Sequence, residues 1–220
     1  MRITLTGSHR TDVRPERATL HVEIRCEGVD RVSVVAGTRH LAAELQAEID
    51  AMRTDEAAPI TGATTASVSV RSWVPTDRDG HPQERVHAAT LPMTVEFRDF
   101  EELGACAFRW AARPGVDVGR IEWSLAEQTR GDVERQVLGD ALRDATRRAQ
   151  ILADAAGAGE VRIVEIAERG MLGGGNDPGP QPRMARMMAV SADDVAGGDR
   201  VTINPEDVSI EQEVDVVFEA

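Results

Sequence analysis

The feature that most constrains the fold is an alternation of apolar and polar residues in two stretches. In residues 19–25 the apolar positions are Leu20, Val22 and Ile24, and residues 208–216 repeat the pattern with one interruption at Gln212. Because successive side chains of a strand point to opposite faces, each stretch predicts a half-buried strand. Such strands need cover on one face only, so the sequence predicts sheets with helices packed on one side.

Three stretches with helical periodicity supply that cover. The first helix follows the predicted N-cap Asp30 and ends at about Met52. The second follows Asp99 and ends before Pro114, and the longest occupies about residues 132–156. N-caps of this kind accept a hydrogen bond from the first turn, which fixes where a helix begins. The apolar face of the longest helix consists of Val133, Val137, Leu138, Ala141, Leu142, Ala145, Ala149 and Leu152.

The remaining strands come partly in hairpins and partly between helices. The opening residues 3–26 form two strands around a turn-rich middle, and Asp79 with Gly80 supplies a hairpin turn. Further strands are predicted at 66–74, 85–97, 118–126, 161–167 and from 208 onwards, with a bulge at Gln212 and Glu213.

This order of elements predicts an α+β fold with largely antiparallel sheet, one long helix and two shorter helices on one face. We predict a single domain over residues 1–220, with two lobes, about 1–115 and 116–220, as the open alternative. Residues 169–202 are predicted to form a long loop containing Gly, Pro and Met.

The composition excludes several classes of function. The net charge is −13 and aromatic residues make up 3% of the chain, which argues against a nucleic-acid partner. All 25 cationic residues are arginine, so no lysine can serve a Walker A loop or a Schiff base. No apolar run is long enough to cross a bilayer, so a membrane span is not expected.

The cysteines and the amino terminus bear on the cellular location. Cys26 and Cys106 are too few for a disulfide framework and are expected to be buried free thiols. The opening sequence lacks a basic segment followed by an apolar stretch, so a cytoplasmic location is expected for the chain as written. The alternative is a periplasmic or cell-envelope protein whose leader has been removed.

No complete catalytic or metal-binding motif occurs in the sequence. The fragment "DRDG" has the start of a calcium loop but lacks its later acidic ligands. His81 and His87 are neighbours on a predicted turn and strand, where two solvated histidines are favoured over a two-histidine metal site. We therefore assign no catalytic, cofactor-binding or metal-ligating residue.

The segment "MLGGGNDPGPQPRMARMM", residues 171–188, raises three alternatives. A phosphate loop requires a helix directly after its glycines, and "NDPGPQP" cannot begin one. A copper site made of thioethers usually includes a nearby His or Cys, which this segment lacks. Methionine is also an adaptable packing residue. The favoured interpretation is therefore packing, with Met184, Met187 and Met188 docked on apolar surface either of their own chain or of a neighbour. Met171, Met184, Met187 and Met188 are the candidate interface residues.

Four stretches in order along the chain resemble the SIMPL-domain family. The opening "ITLTGSHRTDVRPERATLHVEI" matches the family's Val-x-Pro-Asp-x-Ala pattern at Val13, Pro15 and Ala18, with Glu16 in place of Asp. The others are "HAATLPMTVEFRDFEELG", "VLGDALRDATRRAQILADAAG" and "INPEDVSIEQEVDVVFE". The chain departs from the family in lacking the leader of many bacterial members and an aromatic residue near "VHAAT".

The resemblance implies an α+β fold without an established enzymatic activity and, in some bacterial members, a large ring-like homo-oligomer. On that basis we expect a non-enzymatic, self-associating scaffold or binding module without a cofactor. The alternatives are a small-molecule-binding protein or enzyme with a pocket between sheet and helices, and a signalling adaptor like the mammalian member of the family.

Overall fold

A computed structural model of the protein describes residues 1–53, 58–168 and 203–220. The described strands are β1 (Arg2–Val13), β2 (Arg17–Gly28), β3 (Ile60–Thr65), β4 (Ser69–Trp73), β5 (Val86–Phe97), β6 (Val116–Ser124), β7 (Arg162–Glu168) and β8 (Val208–Glu219). The described helices are α1 (Arg31–Ala51), α2 (Phe100–Ala111) and α3 (Glu127–Ala155). All pairs among these described strands are antiparallel, so the predicted α+β class is confirmed.

The chain divides into two compact units. Among the described residues, unit 1 contains 1–15, 125–168 and 206–220, and unit 2 contains 16–124 without 54–57, together with 203–205. Both ends of the chain therefore belong to the same unit. The single domain over residues 1–220 and the alternative of two lobes, about 1–115 and 116–220, stay predictions.

Over its described residues, unit 2 is a five-stranded sheet with two helices on one face. Its strand order is β3-β5-β2-β6, and β4 extends the sheet by pairing with β5. Alternate residues of β2 and β5, with Leu20 and Val95 among them, pack against Leu45 of α1 and Leu103 and Trp110 of α2. The opposite face of this sheet carries polar side chains, as period-two alternation requires.

The described part of unit 1 is a three-stranded sheet, in the order β1-β8-β7, with α3 on one face. The helix buries an i, i+4 stripe that is mostly alanine, at Val137, Ala141, Ala145, Ala149 and Ala153. Small side chains let the helix backbone approach the sheet closely. Arg148 Nη1 also donates a hydrogen bond of 2.9 Å to the backbone oxygen of Thr6 on β1.

The predicted N-caps of α1 and α2 are confirmed. Asp30 accepts a hydrogen bond from Ser33 N, and Asp99 accepts from the backbone N–H groups of Glu101 and Glu102. Gly157, with φ of +71°, follows the C-cap Ala156 of α3. The hairpin is also confirmed, because β4 pairs with β5 and Gly80 in the turn has φ of +85°.

Several boundaries differ from the sequence prediction. The predicted bulge at Gln212 and Glu213 is wrong for the β1–β8 ladder, which runs unbroken through both residues. The irregularity lies instead in β7, between Ile163 and Glu165. Strand β3 was not predicted, because "ITGATT" has almost no apolar alternation. Helix α3 begins at Glu127 rather than at about 132, and its N-cap, Ala126, makes no side-chain hydrogen bond.

Candidate functional site

An apolar groove lies in unit 1 between α3 and the edge of the sheet. It has a volume of about 500 Å³. Leu138 and Leu142 form the helix side, and Ile166 and Val214 form the sheet side. The alanine stripe of α3 packs over β1 and β8. Leu138 and Leu142 each follow a stripe residue in the sequence, so they lie further round the helix, over the space beside β7.

Strand β7 exposes three large apolar side chains. Ile163, Val164 and Ile166 are 43%, 57% and 52% exposed, respectively. This concentration on a single seven-residue strand is unusual, since scattered exposed apolar residues are the norm on a protein surface. We call these three residues, with Leu138 and Leu142 of α3, the β7 surface. It is the candidate functional site.

The position of β7 in the sheet adds a second property to this surface. Within residues 1–53, 58–168 and 203–220, β7 pairs with β8 and with no other strand, so it is an edge strand of the described sheet. An edge strand presents backbone N–H and C=O groups that can pair with another strand. The site therefore combines apolar side chains with unpaired backbone, the two requirements for recognition by strand addition.

On the face of this sheet opposite α3, an ion pair lies beside β7. Val217 on β8 is paired with Thr4 on one side and Glu165 on the other. Arg2 and Glu165 form an ion pair of 4.0 Å, and both side chains are more than half exposed. Exposed ion pairs of this length contribute little to stability. The pair nevertheless places a compensating positive charge beside the central acid of β7.

Unit 2 has a shallow cavity of about 490 Å³ on the polar face of its sheet. Its lining includes His21, Glu23, Asp117 and Arg120. Nearby, Glu122 accepts a hydrogen bond from Arg120 and lies 3.3 Å from His21 Nε2. The hydrogen bond from Arg120 lowers the pKa of the Glu122 carboxyl. His21 lowers this pKa further, whereas burial opposes the shift. An acid held ionised in this way cannot serve as a general acid near neutral pH.

The two cysteines are free thiols. Cys106 is fully buried, as predicted, whereas Cys26 is only partly buried. Burial raises the pKa of the Cys106 thiol to about 12, although Arg109 opposes the rise. The Cys106 sulfur lies 3.1 Å from Arg109 Nη2 and 3.8 Å from the sulfur of Met52. A thiol with this pKa stays protonated near neutral pH and is a poor nucleophile.

The histidines near the hairpin turn have separate partners. His81 Nδ1 lies 3.4 Å from Asp77, and His87 Nδ1 lies 2.7 Å from Ser72 Oγ. Asp77, Asp79 and His81 bring three ligand atoms within 4.8 Å of one another on this turn. Asp77 Oδ1 already accepts the backbone N–H groups of Asp79 and His81, which is ordinary turn chemistry.

The interface residues predicted from sequence lie outside the described part of the chain. Met171, Met184, Met187 and Met188 all fall in residues 169–202. The β7 surface was missed by sequence reasoning. "RIVEIAE" indicates a strand, but its composition does not say that the strand lies at a sheet edge. In the described residues, no helix has the length and apolar character that crossing a membrane requires.

Comparison with known proteins identifies the family. A family model described as "Protein of unknown function (DUF541)", the SIMPL family, matches residues 3–218. No curated protein matches the chain significantly. The family match includes the described part of unit 2 and that of unit 1 from residue 3 to residue 218, so it covers every helix and all strands but the outermost residues of β1 and β8. The chain therefore belongs to the SIMPL family, a family of proteins of unknown function.

Proposed function

We propose that this protein is a non-enzymatic scaffold that associates with copies of itself through the β7 surface of unit 1. The observation that supports this proposal most is the exposure of Ile163, Val164 and Ile166 on a strand that pairs on one side only in the part of the chain that the structure describes. Removing such a surface from water supplies the main favourable free energy in most protein associations.

The groove extends this surface onto the helix. Leu138 is 46% exposed, and Gly139 beside it has no side chain to fill the groove. A large side chain from a partner could enter between Leu138 and Ile166, as anchor residues do at the centre of stable interfaces. Glu168 and Glu213 border the groove, as the polar rim of such an interface would.

The directions of the pKa shifts support the non-enzymatic part of the proposal. Among the described residues, Cys106 has a raised thiol pKa, and Glu48 and Glu122 have carboxyl pKa values lowered by hydrogen-bonded partners. Active sites more often shift these groups toward neutral pH. Here each shift moves its group away from neutral pH, which is the behaviour of structural thiols and ion pairs.

A second candidate function is the binding of a small apolar molecule in the groove. Its volume of about 500 Å³ lies within the range of ligand pockets. Few polar groups line it, whereas specific pockets usually place several to orient a ligand. A fluorescent apolar probe displaced by self-association would indicate that the same surface serves both uses.

The proposal is tested by placing a charge on the β7 surface. Leu138→Glu puts a carboxylate where a partner would be apolar, and it is expected to shift the protein to lower molar mass in light scattering coupled to size exclusion. Val32→Glu on α1 is the matched control, because Val32 is 77% exposed in unit 2. An identical mass distribution for wild type and Leu138→Glu would exclude the β7 surface as the interface.

A further inference from the structure

The two edges of the unit 1 sheet differ in chemistry. On β1 every exposed side chain is polar: Arg2, Thr4, Thr6, Ser8, His9, Arg10 and Asp12. On β7 the exposed residues include Ile163, Val164 and Ile166. Proteins commonly carry charged side chains on a sheet edge, and these prevent unwanted pairing with other strands. The exposed side chains of β1 are all polar, whereas β7 interleaves the charged residues Arg162, Glu165 and Glu168 with exposed apolar residues.

The charges of β7 are arranged from one end to the other. Arg162 begins the strand, Glu168 ends it, and the apolar residues lie between. If two copies of β7 align in parallel, Arg162 lies beside Arg162 and Glu168 beside Glu168, which is repulsive. If they align antiparallel, the basic end of each strand lies beside the acidic end of the other. The strand is therefore complementary to a second copy of itself in the antiparallel direction only.

The centre of the strand is compatible with this arrangement. Glu165 would approach the same residue of the second copy, and like charges at that distance would oppose pairing. Arg2 of the same chain lies 4.0 Å from Glu165 and offsets that repulsion in each copy. The apolar side chains on either side of Glu165, Val164 and Ile166, would leave water together.

We infer that a second copy of this chain pairs its β7 antiparallel with β7 about a twofold axis, so that the two three-stranded sheets join into one continuous sheet. This inference rests on the proposed self-association and specifies its geometry. A contact of this kind is isologous, because the same strand is used by both copies. Residues 169–202, which directly follow β7 in the sequence, are the competing occupant of this edge.

A cysteine scan along β7 tests the geometry. Single cysteines replace Ile163, Val164, Glu165, Ile166 and Ala167, one at a time, in a Cys26→Ser background. Circular dichroism checks the fold of each variant. Under mild oxidation, antiparallel pairing predicts disulfide-linked dimers with a maximum at one position and a decline on both sides. Only residues near the twofold axis approach their own counterparts, and disulfides form only over short Cα separations. Thr4→Cys on β1 is the matched control, and it should cross-link severalfold less than the maximum.

The possible results test the antiparallel pairing of β7 and the self-association of the chain separately. Cross-linking that is equally strong at every β7 position would indicate parallel pairing and would overturn the inference. An oligomer in light scattering with no β7 cross-link above the Thr4→Cys control would also overturn it, while leaving the proposed function in place. A monomer without cross-links would overturn both, and it is the result expected if residues 169–202 cover the edge.

Discussion

Gly7 of β1 lies directly against Ala141 of α3. A Cβ atom at position 7 would lie 2.1 Å from the backbone oxygen of Ala141 and 2.8 Å from the Cβ of Ala145. Because the nearest atom belongs to the helix backbone, a rotamer change cannot relieve the overlap. The close packing of α3 on the three-stranded sheet therefore depends on glycine at this position.

Gly7→Ala is expected to destabilise the protein by about 3 kcal/mol or more, at or above the upper end of ordinary overpacking costs. The measurement is urea unfolding followed by circular dichroism. Gly131→Ala in α3 is the matched control, since no atom lies within 4 Å of a Cβ at that position. It should stabilise the helix by about 0.5–1 kcal/mol. A Gly7→Ala protein as stable as wild type would show that the helix does not pack this closely.

Glu48 connects α1 to α2 and is expected to make stability depend on pH. It accepts a hydrogen bond of 3.1 Å from Trp110 Nε1 and is ion-paired with Arg113. Burial acts to raise the pKa of Glu48, but the bonds from Arg113 and Trp110 outweigh it and leave the pKa lowered. Its stabilising contribution is therefore complete above the unfolded-state pKa of about 4.3 and is lost as the pH falls through the lower folded-state pKa.

Glu48→Gln tests this dependence, because glutamine can still accept the Trp110 hydrogen bond but carries no charge. Wild type should exceed the variant in free energy of unfolding at about pH 7, and the difference should shrink at about pH 3. Urea denaturation at the two pH values supplies the comparison. A difference that is equal at both would mean that the Glu48 charge contributes nothing.

Much of the fold could be predicted because local chemistry determines it. Asp30 and Asp99 are recognisable N-caps, and alternation marks β2 and β8 directly. The pairing of β1 with β8 joins residues at opposite ends of the chain, such as Ile3 and Phe218, and no local pattern encodes such a contact. The division into units follows from that pairing, so it could not be derived from neighbouring residues.

The candidate site could not be predicted from the sequence for a related reason. Periodicity places Leu138 on the apolar face of α3 together with Ala141 and Ala145. The structure buries the alanines and leaves Leu138 partly exposed, because Gly7 lets the helix come so close to the sheet that alanine fits best there. Periodicity finds the apolar side of a helix, but only packing decides which residues on it stay accessible.

The thiols should differ strongly in reactivity. Cys106 is buried and its pKa is raised to about 12, whereas Cys26 is partly exposed. At about pH 8 an aromatic disulfide reagent should therefore modify Cys26 in the native protein and reach Cys106 only after denaturation. Cys26→Ser should leave no native thiol that reacts quickly. Rapid reaction of that native variant would contradict the burial of Cys106.

Salt is expected to strengthen the association. Each chain carries a net charge of −13, so two copies repel one another at low ionic strength. The β7 surface is mainly apolar, and screening should weaken the repulsion more than the contact itself. Sedimentation equilibrium between about 0.02 and 0.5 M sodium chloride should show a falling dissociation constant. Weaker association at high salt would instead indicate an interface dominated by ion pairs.

The central claim, self-association of the chain, is tested most directly by its molar mass in solution. Light scattering coupled to size exclusion, at micromolar concentration, is expected to give a multiple of the 23.8 kDa of one chain. A single species of 23.8 kDa at micromolar concentration would contradict the account.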